Sequence, residues 1–469
     1  MERHVAIIGG GIAGLAAALA LHDALGDDVT LTVLERGDRL GGKLRTGTID
    51  GRRVETGAET FLTREADDPS GAASAAVTLA HRVGLGDALI HPQTTTAAIF
   101  AAGELRPMPG GTLMGVPADV ASWPGIAGAA RAADADHDSG RPLLAAGTDI
   151  TVGSLVRQRF GDAVVDDLVD PLLGGVYAGR ADNLSLAVTM PGLAQACGVE
   201  HTLQEAVQAT LSRRALTITP AFATVAGGLS RLVAAIDFAM PAASVLLGRT
   251  VREIVPIGER WRVVHGPTTD AQALDVDAVV LAVPSHPAAR LLAPFAADAS
   301  AGVGALDYAS IGLVTMLLPA GALDGTSLDG RSGALVPAVA GHAVKAVTVF
   351  STKWTGQPDG AVLLRASLGR YGDEQVLQVD DNALVDVAHA DLGKILGASL
   401  VAPLRATVTR WGGGLPQYAP GHHDRVSSAR AALPPTFALA GAAYEGIGIP
   451  ICIRSGQRAA DQLIGALYS

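Results

Sequence analysis

Cysteine is almost missing from this chain: 469 residues contain two, Cys197 and Cys452. Two thiols with no metal-ligand spacing exclude a disulfide framework and a cysteine-built metal centre, and they point to a reducing cytoplasm. Positive charge is also short. Lys and Arg number 35 against 46 Asp and Glu, a formal net charge of -11, which argues against nucleic acid as a partner and against electrostatic docking to an anionic membrane. An anionic substrate would need a local basic patch, because the overall field repels it. Long apolar runs are lacking too. Outside the first βαβ unit no uncharged stretch reaches the ~20 residues of a spanning helix, so the chain reads as soluble, with peripheral membrane contact left open. Nor does it show a Ser/His/Asp or Cys/His constellation of a nucleophilic enzyme. Among the twelve histidines only His422-His423 stand as a pair; they read as satisfied or exposed loop residues, and no metal is expected.

What is present begins at Val5-Ala6-Ile7-Ile8-Gly9-Gly10-Gly11-Ile12-Ala13-Gly14, followed by an Ala/Leu-rich stretch and a second apolar run, Val29 to Leu34, closed by Glu35. Strand, Gly-x-Gly-x-x-Gly turn, helix, strand and acid is the dinucleotide-binding fingerprint in its expected context. Gly9 permits the tight turn, Gly11 lets backbone approach a pyrophosphate, and Gly14 lets helix pack on strand. The phosphates would sit on unpaired N–H groups at the helix start. Glu35 would accept hydrogen bonds from the adenosine ribose hydroxyls. A signal peptide is a poor alternative, because three glycines interrupt the apolar run and the acid-capped strand completes a βαβ unit.

At about 150 residues per domain the length suggests two or three domains, and 49% hydrophobic residues with a mean hydropathy of +0.32 leave ample material for a core. Asp67 to Ser74 reads as a solvent loop. Thr94 to Phe100 reads as a strand turned back at Gly103. From about Leu113 to Leu216 the pattern is helical, broken by Pro117, Pro124, Pro142 and Pro171, and Ala127 to Asp138 looks like an exposed acidic connection. Strand signals return at Ser244 to Leu247, at Val251 to Ile254 and at Trp261 to Val264, the last two a hairpin across Gly258. Asp277 to Pro284 reads as a fully buried strand of a parallel sheet. A mixed strand region from about Gly312 to Ala366 precedes an amphipathic helix near Asp381 to Leu396. Finally, Phe437 to Ala440 is a short strand running into the glycine-bearing loop Gly441 to Pro450, behind which Ala459, Ala460, Leu463, Ile464 and Leu467 recur at helical spacing. Pro450 falls near the first turn of that helix, whose free N–H groups favour negative charge.

Which dinucleotide is meant turns on Arg39-Leu40-Gly41-Gly42-Lys43-Leu44-Arg45-Thr46. A Gly-Gly pair lets backbone pass close to phosphates, and Arg39 and Lys43 bring positive charge there. The string resembles the second signature of the superfamily of FAD-dependent amine oxidases and porphyrinogen oxidases, which implies FAD rather than NAD. The run Leu439 to Pro450, with Ser455-Gly456 and Ala459-Ala460, resembles the C-terminal signature of the oxygen-dependent porphyrinogen oxidases. That family comprises the protoporphyrinogen oxidases and the Gram-positive, coproporphyrin-forming coproporphyrinogen III oxidases. Gly57 to Phe61, Pro171 to Gly179, Gly227-Gly228-Leu229 and Trp411 to Tyr418 match the same family in the same order across nearly the whole chain.

The resemblance implies an α/β fold of the amine oxidase and porphyrinogen oxidase type: a FAD-binding Rossmann-like domain (1–89, 223–292 and 404–469), a mixed-sheet substrate domain (90–112 and 293–403) and a helical domain (113–222). It implies non-covalent FAD held by Gly9, Gly10, Gly11, Ile12, Ala13 and Gly14, by Glu35 and Arg36, by Arg39, Gly42 and Lys43, and by Gly57, Ala58, Glu59 and Thr60. Val251 would hold the adenine through its backbone, Trp411 would lie beside the flavin, and Gly441 and Ala442 with Ile447, Gly448 and Ile449 would line its pyrimidine end. The implied activity is oxidation of a porphyrinogen to a porphyrin in haem biosynthesis. Hydride leaves a bridging methylene for flavin N5 and a proton leaves a pyrrole N–H, three times, with O2 reduced to H2O2. No strong general base is required, and no catalytic side chain is assigned.

Substrate identity rests on charge. Coproporphyrinogen carries four propionates and protoporphyrinogen two, so a rim rich in Arg and Lys favours the former; the candidates are Arg64, Arg180, Lys345, Lys353 and Arg365. Mitochondrial-type protoporphyrinogen oxidases resemble this chain less: the strand Thr94 to Phe100 lacks their Arg, Ser351-Thr352-Lys353-Trp354 is similar to the Gram-positive enzymes, and no aromatic-rich membrane-inserting helical domain is present. Coproporphyrinogen III is the favoured substrate, protoporphyrinogen IX the runner-up. Two remoter readings stay open. A flavin amine oxidase could use Lys353 beside the flavin, although Gly441-Ala442 stands where that family places Gly-Glu, and Cys452 reads as a small apolar residue rather than a flavin-linking thiol. A catalytically quiet, FAD-bound carrier could instead pass porphyrin to a ferrochelatase or another haem-pathway partner.

Overall fold

Alternate residues of the first strand enter two different cores, which explains why its sequence is apolar without a break. In the computed structural model, which describes residues 3–65, 70–120, 135–213, 220–356 and 360–468, Arg3–Ile8 lies in the middle of a five-stranded sheet. The order is Ser244–Leu246, Val29–Leu34, Arg3–Ile8, Ala278–Leu281 and Phe437–Leu439, with every pairing parallel. Val5 and Ile7 pack under the helices Ile12–Leu25 and Ile449–Tyr468. Ala6 and Ile8 pack on the other face against Ser285–Leu292 and Ala297–Gly304. A parallel sheet covered on both faces needs such continuous apolar strands. The two helices on the first face touch backbone to backbone at Gly456, where a Cβ would lie 2.1 Å from the Ala13 carbonyl oxygen.

A second, seven-stranded sheet runs in the order Arg405–Pro416, Tyr308–Pro319, Ala361–Leu368, Val344–Val349, Gly333–Leu335, Ala97–Ala101 and Glu104–Pro107. It is antiparallel except between Gly333–Leu335 and Ala97–Ala101. One face packs Val314, Met316, Val347 and Leu364 on Leu384, Ala388 and Leu392 of the helix Asp381–Leu396. That helix has the bounds its periodicity predicts. The Asp380 side chain accepts from the Ala383 N–H at its start, and Gly397 closes it in the left-handed conformation at φ 62°.

Four expectations are corrected by strand pairing and packing. Arg405–Pro416, which the sequence reading places with the FAD-binding pieces, is the edge strand of the large sheet, and Ala297–Gly304, placed with the substrate domain, packs into the core of the five-stranded sheet. The helical stretch opens with a small hairpin, Thr112–Leu113 against Val116–Pro117, before the helices that run from Val152 to Ser212. Asp136 is not part of an exposed connection: it is buried, and its carboxylate accepts from the N–H groups of Leu203 and Gln204 at the start of the helix Leu203–Ser212. Free N–H groups and the helix dipole make that burial tolerable. Most of the Ala127 to Asp138 tract, and the first three residues of Asp67 to Ser74, lie outside the described residues.

Candidate cofactor and substrate site

The two glycine-rich signatures, some thirty residues apart in sequence, fold onto each other. Gly9 turns at φ 111°, and a Cβ there would lie 2.5 Å from the Ala282 carbonyl oxygen; a Cβ on Gly14 would lie 2.0 Å from the Gly9 carbonyl oxygen. Gly11, by contrast, faces open space, with no atom within 4 Å of the position its Cβ would take. The strand-to-helix turn is therefore closed on the protein side and open at the one glycine expected to meet a pyrophosphate. The second signature joins it: the Gly41 N–H donates to the Gly10 carbonyl at 2.8 Å, and Gly41 bridges Gly11 in parallel fashion. This is a cradle of backbone donors at a helix N-terminus, the geometry that suits a dinucleotide's phosphates.

Glu35 anchors the cradle from below. Its carboxylate accepts from the Gly10 N–H at 2.8 Å and from the Gly37 N–H at 2.7 Å, which still leaves lone pairs for the hydroxyls of a ribose. Arg39 donates to the carbonyls of Leu40 and Gly42, so it shapes the Gly-Gly loop. Arg36 is exposed. Burial, opposed by the nearby Cys452 and reinforced by Arg36, holds the Lys43 ammonium below its ordinary value. Val251 opens the strand Val251–Ile257, two residues beyond the Arg249 N–H that donates to the Glu35 carbonyl.

Residues 55 to 60 carry the contacts between the two sheets. The Trp411 indole N–H donates to the Thr56 carbonyl at 2.7 Å, and the Ala58 N–H donates to the Lys43 carbonyl at 2.9 Å. Glu55 accepts from Thr46 and from the Leu229 N–H, which is what the Gly227-Gly228-Leu229 turn supplies. Glu59 is buried and fully engaged. One oxygen accepts from Lys353 at 2.8 Å and from the Trp354 indole at 2.9 Å, and the other accepts from Arg365 at 3.1 Å. Arg365 also donates to the carbonyls of Glu55 and Gly57. Burial alone would raise the carboxyl's pKa; Lys353 and then Arg365 outweigh it and hold the group below the usual carboxylate range.

At the C-terminal end, Gly441 to Pro450 is not loop throughout. Ala442–Glu445 makes a helical turn, and the long helix begins at Ile449 with Pro450 in its first turn, as its sequence predicts. The Tyr418 hydroxyl donates to the Ala442 carbonyl at 2.6 Å, and Ser455 accepts from the Gly441 N–H. Ile447 packs against the core of the helical region. Burial pushes the Cys452 thiol up to about 11, so it is no ready nucleophile. His422 is a further correction: it starts the helix His422–Ala431, is fully buried and packs edge-on against Tyr418, and burial with His423 alongside pushes it down to about 4. A glycine-opened turn followed by two histidines gave no sign that only the second faces solvent. Among the described residues no His, Cys, Asp and Glu group has a metal-binding arrangement.

Four of the five expected rim cations come together. Lys353 and Arg365 share Glu59, and Lys345 lies within electrostatic range of Arg365 and of Arg370. Arg370 in turn senses Arg180, which is paired with the buried Asp170 at 3.0 Å. Arg64 stands apart, beside a surface hollow lined by Thr63, His81 and His91. Sequence reasoning missed Arg370. It is buried, and it donates to the carbonyls of Val336 and His342; its local setting is the Gly369 turn directly after the strand Ala361–Leu368.

Comparison with known proteins bears on this arrangement. Residues 12–464 match the family described as flavin containing amine oxidoreductase. A coproporphyrinogen III oxidase of Mycobacterium tuberculosis is 37% identical over 467 residues, covering 99% of this chain and 98% of its own. That of Bacillus subtilis is 31% identical over 485 residues, covering 100% and 99%. A crystal structure from Exiguobacterium sp. 255-15, provisionally named a protoporphyrinogen oxidase, superposes with a TM-score of 0.84 at 29% identity, covering 99% of both chains. The chain belongs to the flavin-containing amine oxidoreductase family, in the branch of the coproporphyrinogen III oxidases.

Proposed function

We propose that this protein binds FAD without a covalent link and oxidises coproporphyrinogen III to coproporphyrin III, with O2 as the electron acceptor. The observation that carries the choice of substrate is the group Arg180, Lys345, Arg365 and Arg370, gathered in a chain whose net charge is -11. In a protein that is acidic overall, a region lined by positive charge raises the local concentration of an anionic substrate. Bound FAD supplies a two-electron acceptor for hydride. The residues do the rest. The open side of Gly11 and the N–H groups behind it receive the pyrophosphate, with Arg39 shaping the loop and Lys43 adding charge. Glu35 is placed for the ribose, and Trp411 is fixed to Thr56 on the side where the ring system would lie. The cations orient the macrocycle through its propionates. A bridging carbon then gives up hydride and a pyrrole N–H gives up its proton, and no side-chain base is needed, because hydride loss itself acidifies that N–H.

The purified protein is expected to be yellow, and acid or heat to release intact FAD into the supernatant; flavin retained on the precipitated polypeptide would contradict non-covalent binding. An aerobic assay following the fluorescent porphyrin tests the activity directly. The kcat/KM for coproporphyrinogen III is expected to exceed that for protoporphyrinogen IX and to fall as salt rises. Arg180 is about one-third exposed, and the screening length shrinks from ~10 Å at 0.1 M to ~3 Å at 1 M. Equal turnover of both substrates would make protoporphyrinogen oxidation the better reading.

A further inference from the structure

The seven-stranded sheet holds a buried cation, Lys345, that no described residue neutralises. Lys345 is 3% exposed, and among the described residues its ammonium has no hydrogen-bond or ion-pair partner. Lysine is rarely buried unless paired, and an unpaired charge is among the costliest groups an interior can hold. Its charged neighbours make matters worse. Burial, then Arg370, then Arg365 push the ammonium down to about 7. Both arginines have acceptors of their own, Arg370 on the carbonyls of His342 and Val336 and Arg365 on Glu59 and the Gly57 carbonyl. Lys345 has none.

The backbone places the side chain where it is. Val344–Val349 pairs regularly with Ala361–Leu368 except between Val344 and Ala346, where Lys345 is the extra residue. Such a bulge re-aims a side chain. Val344 joins the core beneath the helix Asp381–Leu396. Ala346 pairs with Leu335, which reaches Gly175 of the helix Asp170–Tyr177, and Thr348 pairs with Arg365. That second face is turned toward the helix and toward residues 55 to 59.

We propose that Lys345 is a specificity-determining residue of the substrate site, an internal receptor for one propionate carboxylate of the porphyrinogen. The inference rests on the porphyrinogen reading and adds to it a second kind of recognition. Arg180, partly in water, attracts the substrate over a distance and is screened by salt. Lys345 meets its carboxylate only after the macrocycle has entered, in surroundings where salt screens little. The ligand completes an ion pair that the protein leaves half made.

The test is a fluorescence titration of the FAD-loaded protein with coproporphyrin III and with its uncharged tetramethyl ester, for wild type, Lys345→Met and Lys345→Gln. Both variants are expected to bind the tetra-acid about 30-fold more weakly, as when one partner of a buried charge pair is removed, with the same factor at 0.1 M and 1 M NaCl. Their affinity for the ester is expected to be unchanged, and they should melt at or above the wild-type temperature, since a buried unpaired charge is gone. Unchanged affinity for the tetra-acid, an equal loss for the ester, or lower melting with loss of flavin would overturn the proposal. A wild-type protein that binds coproporphyrin III through Lys345 yet oxidises no porphyrinogen would overturn the enzymatic reading and leave this one standing.

Discussion

Glu59→Gln is expected to cost the fold about 3–5 kcal/mol, the loss seen when one member of a buried ion-pair group is removed and its partners stay charged. The carboxylate is the common acceptor of Lys353, Trp354 and Arg365, and the amide would leave two ammonium and guanidinium charges facing each other without an anion. Denaturant unfolding of wild type and variant at neutral pH measures the difference. The pH dependence carries a sign as well. Because the folded carboxyl titrates below its ordinary 4.5, its contribution is fully present above that value and is lost as the pH falls through the lower, folded one. The variant should therefore show a flatter acid limb than wild type. Equal stability of the two at pH 7 would mean that Lys353 and Arg365 do not depend on Glu59.

The second large effect separates cofactor binding from folding at two glycines three residues apart. Gly11→Ala places a methyl group in open space, at φ -74° where alanine is unstrained. It should fold with a penalty under about 1 kcal/mol, yet emerge without flavin, because that space is where the pyrophosphate meets backbone. Gly14→Ala drives a methyl to 2.0 Å from the Gly9 carbonyl oxygen, an overpacking that typically costs about 1–3 kcal/mol, so it should lose stability. Flavin absorbance per mole of polypeptide and thermal unfolding, measured on both variants, check the pair. Full flavin content in Gly11→Ala would remove the assigned phosphate site.

These contrasts show what could be read from sequence. The elements were legible wherever the cause is local: the βαβ unit, the helix Asp381–Leu396 and the buried strand within Asp277 to Pro284 follow from apolar spacing along the chain. The glycine pattern of the expected cofactor cradle stands in the sequence, but its closure does not, since Gly9 is backed by the Ala282 carbonyl from the far side of the chain. Long-range facts were not legible. Nothing near Asp136 reveals that it caps a helix 67 residues on, and nothing near Arg405–Pro416 says which sheet its edge will join. Glu59 looked like a cofactor contact, but its side chain is taken up by residues some 300 positions away. Lys345 was picked out for its charge, whereas its burial beside Arg370 depends on a bulge that only the partner strand defines.

The order of strands in the parallel sheet also governs how the chain reaches its fold. Val5 pairs with Ala278, and Val279 pairs with Phe437, so the apolar strand at the start of the chain has its second neighbour only after about 270 further residues are made. At ~5–20 residues per second that is a wait of roughly 15–50 s. Throughout it, one edge of Arg3–Ile8 and the face of Ile12–Leu25 that will receive Gly456 stay uncovered. Long-range parallel pairing is slow even for a finished chain. Synthesis at low temperature, or with chaperones in excess, is where yield should respond most, since the vulnerable species is a half-made sheet and not the finished protein.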